Sequence, residues 1–137
     1  MEIIKIPDSL ILPKNFTIQE YLNFGTHSVM PETDRKLLLK EFGSLSIAKQ
    51  QRNLNVLHAL QPIRDKFGKP IFITCGYRSK RHELSRNRSG KSQHLLGAVD
   101  ITSDDINGLS LMLNDWKGGF KRYKNFIHID LGPIRRW

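Results

Sequence analysis

The chain has 137 residues, 39% of them hydrophobic and 26% charged, with a formal net charge of +9. That length suits one compact domain, residues 1–137, and is too short for two well-cored ones; the composition argues against wholesale disorder. A single cysteine, Cys75, excludes an internal disulfide and any Cys-x-x-Cys metal knot, and its place at the end of an apolar run suits a buried small hydrophobe.

Met1-Glu2-Ile3-Ile4-Lys5-Ile6-Pro7 lacks the apolar centre and cleavage site of a signal peptide, and no apolar run approaches a membrane span. A soluble product made in the cytoplasm, with no membrane insertion, is expected. Thr17-Ile18-Gln19-Glu20 has capping-box spacing and predicts a short helix through Tyr21 and Leu22. Pro31-Glu32-Thr33-Asp34 starts a second helix carrying Leu37, Leu38, Leu39 and Phe42. A longer one is predicted over Ala48–Phe67, where Leu54, Leu57, Leu60 and Phe67 recur near helical spacing and Gly68 ends it. Pro62 inside that pattern predicts a kink or a division into two helices.

Pro70–Cys75 is the clearest strand, turning at Gly76. Lys80–Lys91 reads as a basic loop: Arg78, Lys80, Arg81, Arg86, Arg88 and Lys91 stand against Glu83 alone. Such a cluster is either a solvated surface or the rim of a substrate site, and charge does not choose between them. A base-reading or stacking motif is absent from the sequence, so no specific nucleic-acid partner is expected. Ala98–Thr102 is a second strand, and Ser103-Asp104-Asp105 caps a helix carrying Leu109, Leu111, Met112, Leu113 and Trp116 until Gly118-Gly119 breaks it. Phe126–Leu131 is a third strand. Helices first, then strands with one helix between them, predict an α+β fold with a small, mostly antiparallel sheet.

Chemistry concentrates in Ser92–Asp100 and Phe126–Asp130, which offer His94, Asp100 and His128. Two histidines and a carboxylate are a ligand set that holds zinc and leaves one position open for water. Asp100 lies in an otherwise apolar strand, where an ionised carboxylate is costly unless paired or bound to a cation. Alternation puts His128 and Asp130 on one face and Ile127, Ile129 and Leu131 on the other. Each residue alone is more economically read as structural; the joint pattern with Ser92 and Gly97 favours metal.

These segments resemble the zinc D-alanyl-D-alanine metallopeptidase superfamily, which includes vancomycin-resistance dipeptidases and phage murein endopeptidases. The likeness is greatest to its small phage and bacterial peptidoglycan peptidases. It rests on Ser92, His94, Gly97, Ala98, Asp100 and His128, and extends through Leu60–Pro70, Gly76-Tyr77-Arg78-Ser79, Phe16–Tyr21 and His128–Trp137. The resemblance implies a peptidase with one zinc ion on His94, Asp100 and His128, cutting peptidoglycan stem peptides or cross-links as a carboxypeptidase or endopeptidase; a monomer is expected. A phage or prophage lysis enzyme acting on the wall after release, or in the virion, would fit it. Arg78 is expected to stabilise the polarised carbonyl, and Tyr77 and Ser92 to contact substrate, Ser92 without acting as a nucleophile.

Two departures from the family pattern bear on the site. Asp100 follows His94 by six residues where seven is usual, one residue being missing between Gly97 and Ala98, and a one-residue shift in a strand reverses the face. Asn125 takes the place three residues before the distal histidine where many members carry an acid or a histidine as general base. Asp130 is the expected substitute, with Glu83 the other; Asp130 would equally serve to orient His128. The alternative function is a catalytically lapsed relative that binds zinc, wall or a virion partner.

Overall fold

The computed structural model describes residues 9–78 and 97–136. Helix α1 (Ile18–Tyr21) begins with the expected capping box: Thr17 Oγ1 accepts from the Glu20 amide at 3.1 Å, and Glu20 Oε1 accepts from the Thr17 amide at 3.0 Å. Helix α2 (Glu32–Ser44) buries Leu38 and Phe42, one turn apart. Helix α3 (Ile47–Phe67) is capped by Ser46 and ends at Gly68 in the left-handed region, φ 70°. Pro62 neither divides this helix nor ends it. Its ring removes only the bond to the His58 carbonyl, and Pro62 lies on the exposed side, while Leu54, Leu57 and Leu60 anchor the other side in the core.

Strand β1 (Phe72–Cys75) is followed by β2 (Ala98–Thr102), α4 (Ile106–Met112), β3 (Gly119–Arg122), β4 (Ile127–Asp130) and β5 (Arg135–Arg136). They form one sheet in the order β1-β2-β4-β3-β5, antiparallel throughout except for the parallel β3–β5 pair. The architecture is therefore α+β with a mostly antiparallel sheet. Strands β3 and β5 were not expected, and α4 stops at Met112, leaving Trp116 beyond it.

The sheet has two unlike faces. Val99, Ile101, Ile127 and Ile129 are fully buried, in one core cluster with Leu54, Leu57 and Leu60 of α3 and Leu109 and Leu113 at α4. Each such side chain contributes about 1.5–3 kcal/mol on leaving water. Leu131 does not join them: β4 ends at Asp130, and Leu131 is 43% exposed. Ala98 and Asp100 of β2, His128 and Asp130 of β4 and Lys121 of β3 stand on the opposite face.

Candidate metal centre

Register brings the two described candidate ligands together. Asp100 on β2 is the direct partner of His128 on β4, and Asp100 Oδ1 lies 3.1 Å from His128 Nδ1. Asp100 and His128 therefore stand on the same face of the sheet. Gly97, just before β2, adopts φ 125°, a backbone geometry that side chains disfavour. His94 and Ser92 lie outside the described residues, as does Glu83, and no three His, Cys, Asp or Glu side chains converge as a metal cluster among those described.

The other ring nitrogen of His128 meets a second carboxylate. Nε2 lies 2.7 Å from Asp130 Oδ2. A fully buried carboxylate there favours a proton on Nε2, and in that neutral tautomer the ring presents the Nδ1 lone pair to the Asp100 carboxylate. Two acceptors 3.1 Å apart repel unless a positive charge lies between or beside them: a proton, or a metal ion. Burial opposes charge on the His128 ring, yet its hydrogen bonds with Asp100 and Asp130 outweigh that and raise its pKa above the usual value. A nitrogen and a carboxylate oxygen that attract positive charge fit two positions of the His–His–Asp set.

Asp130 is the most constrained group in the site. Oδ1 accepts from the amides of Gly119, at 3.0 Å, and Gly132, at 2.9 Å; Oδ2 accepts from His128 and from Arg135 Nη2 at 2.5 Å. Burial alone would raise its pKa, but the bonds from His128, Arg135 and the two amides hold it well below the usual carboxylate range. An expected general base should be reachable and should hold a proton readily; Asp130 is fully buried and strongly disfavours protonation. The geometry suits the other role the sequence offers for Asp130, an acceptor that orients His128.

Space for this clamp comes from Gly119, where a Cβ would collide with the Asp130 carboxylate and the Arg135 guanidinium. Gly118-Gly119 thus lies at the start of β3, well past the end of α4, and its bareness admits the clamp. Trp116 Nε1 donates to the Asp130 carbonyl at 2.8 Å, and Arg136 bonds the carbonyls of Gly118 and Trp116. Gly119, Arg135 and Trp116 escaped the sequence reading because they support the site through contacts rather than carry chemistry.

Arg78 reaches the pair from β1. Nη2 lies 3.3 Å from Asp100 Oδ2, and Nε donates to Cys75 Sγ at 3.3 Å. The backbone before it is fixed by the end of α1: Asn23 Oδ1 accepts from the Gly76 amide, the Tyr21 carbonyl accepts from the Tyr77 amide, and Asn23 Nδ2 donates to the Tyr77 carbonyl. Any Cβ at Gly76 would run into the Tyr21 carbonyl, so glycine is required for that approach. Tyr77, expected to contact substrate, joins the buried core. It is 4% exposed and meets Phe42 edge-on, with ring centroids 5.2 Å apart. Burial, then the nearby Glu41 charge, pushes its phenol up to about 12. Asn125 is exposed.

The model of the Peptidase M15 family matches residues 38–130, a span that includes Arg78, His94, Asp100, His128 and Asp130. The chain belongs to the Peptidase M15 family. Among curated relatives, the peptidoglycan L,D-endopeptidase MepK of Escherichia coli strain K12 is 36% identical over 80 residues, which cover 50% of this M15 chain and 44% of that protein. The probable peptidoglycan L,D-endopeptidase MepK of Haemophilus influenzae is 35% identical over 81 residues, 49% of this chain and 42% of that protein. This M15 chain therefore spans less than half the length of the curated relatives it matches.

Proposed function

We propose that this chain is a zinc-dependent peptidoglycan peptidase, an endopeptidase that cuts stem peptides or their cross-links, with His94, Asp100 and His128 as ligands of one ion. The observation that carries the reading is the facing of Asp100 and His128 Nδ1 across β2 and β4, with the other His128 nitrogen committed to a buried carboxylate. Family membership and the names of the endopeptidase relatives support the reaction class. Bound zinc supplies Lewis-acid polarisation of the scissile carbonyl and acidifies water to a pKa of roughly 7.

The chain's own residues have separate tasks in this reading. Asp100 contributes a negative ligand whose second oxygen is held by Arg78. Arg78 places a permanent charge beside the pair, suited to a carbonyl oxygen as it gains negative charge. Asp130 keeps the proton on His128 Nε2 and fixes the ring plane. Proton transfer to the leaving amine then falls to a group other than Asp130, with Glu83 the remaining candidate from the sequence.

Digestion of purified sacculi tests this directly. New amino termini should appear, vanish with a chelator and return with added zinc. Metal analysis should show zinc lost from His94→Ala, Asp100→Ala and His128→Ala. Stoichiometric zinc in all three variants would overturn the ligand set, and bound zinc without release of amino termini would favour the lapsed relative.

A further inference from the structure

Between the second half of α3 and the end of α4 an apolar surface is left open. Pro62 and Ile63 of α3, Met112 at the end of α4, Trp116 beyond it and Leu131 after β4 line a groove of about 540 Å³. Small-ligand sites fall in the same range, roughly 300–1,000 Å³. The groove exists because two elements stop early. Helix α4 ends at Met112, and β4 ends at Asp130, so Leu131 leaves the sheet 43% exposed instead of joining Ile127 and Ile129. Trp116 is anchored from behind, its Nε1 donating to the Asp130 carbonyl at 2.8 Å. Single apolar side chains at a surface need no partner, but several around one concavity mark a binding site.

Two opposite charges stand at its rim. Asp115 and Lys117 flank Trp116 in sequence, are exposed and border the same groove. Among the described residues neither has an ion pair or a side-chain hydrogen bond. An apolar floor with one charge of each sign suits a ligand built the same way. We propose that the groove binds a short zwitterionic peptide, with an aliphatic side chain against Ile63, Met112 and Leu131, an ammonium toward Asp115 and a carboxylate toward Lys117. A neutral hydrocarbon would leave both charges unused, and a lone cation or anion would attract one and repel the other. The site lies where the helices cover the sheet, whereas Asp100 and His128 stand on the other face, so it needs no metal.

Titration of the full chain with the dipeptide Ala-Leu, followed by NMR, tests the site. The Trp116 indole N–H and the Met112 and Leu131 methyls should shift together, with a Kd on the order of 1 mM for a ligand of this size. The same dipeptide, N-acetylated and amidated, should bind about fivefold more weakly. Asp115→Asn and Lys117→Gln, at exposed positions, should each bring the two affinities closer, and Leu131→Gln should weaken both alike. Equal wild-type affinity for the two dipeptides, or a Trp116 signal that does not move, overturns the proposal. So does binding that a chelator abolishes, which would place the peptide at the metal centre. A dimer that Leu131→Gln dissolves would give the groove to a second copy and overturn it as well. Since neither zinc nor turnover is needed, failure to digest sacculi would count against the peptidase reading alone.

Discussion

Replacing Asp130 by asparagine separates a proton-transfer role from a clamp. An asparagine whose carbonyl takes the Oδ1 position keeps both amide bonds, from Gly119 and Gly132. Its NH2 then faces two donors, His128 Nε2 and Arg135 Nη2, in place of the oxygen that accepted from both. Each lost bond to a charged group is worth roughly 1.5–3 kcal/mol. The Arg135 side chain is 39% exposed and can turn to water, so its share is discounted to about 1 kcal/mol or less. His128, with 12% of its side chain exposed, cannot escape in the same way. It can relieve the clash by moving its proton from Nε2 to Nδ1, but that removes the lone pair facing Asp100. The variant should lose about 2 kcal/mol of stability in urea denaturation of the metal-free protein. Its zinc affinity, read by competition with a chromophoric chelator, should fall roughly 10–100-fold. If stability and zinc affinity are unchanged and only turnover is lost, the clamp is wrong and Asp130 is the base after all.

Gly119→Ala should reproduce much of that phenotype without touching an ionisable group: a methyl pressed onto Asp130 and Arg135 costs about 1–3 kcal/mol, and an unchanged Tm would show that the clamp has room. Tyr77 makes stability pH-dependent at the alkaline end, because the unfolded phenol ionises near pH 10 and the folded one near 12. The unfolded chain therefore binds fewer protons in that window, and about 2–3 kcal/mol should be lost as pH rises through it. Tyr77→Phe should lessen the loss, with buried Tyr21 still contributing, and parallel curves for the two proteins would refute the assignment. Leu57→Ala, at a fully buried position, should cost about 2–5 kcal/mol in urea while the folded fraction keeps its zinc affinity. A matching drop in affinity would mean that the core and the metal face are coupled.

Helix signals were the most legible part of this chain. Thr17, Asp105 and Gly68 act at helix ends through local bonds that a short window contains. Strands β1, β2 and β4 were readable because apolar, β-branched runs mark them. Strand β3, Gly119-Phe120-Lys121-Arg122, and the two-residue β5 carry no such run and exist through pairing with distant partners. The same limit governs the site. His128 and Asp100 stood out as polar residues in apolar strands, but whether Asp130 was a base or a clamp depended on donors from Gly119, Gly132 and Arg135. Tyr77 sat beside Arg78 in a motif that the family resemblance marked as functional, and only burial against Phe42 separates the two roles.

Some supports of the site lie beyond the span that identifies the family. Arg78 owes its placement to the Tyr21 carbonyl and the Asn23 side chain, upstream of residue 38, and Asp130 owes part of its charge balance to Arg135, downstream of residue 130. A fragment trimmed to residues 38–130 would retain every side chain proposed to meet zinc or substrate while losing a brace on each flank. Grafting this centre into another scaffold would need those outlying braces as much as the ligands themselves.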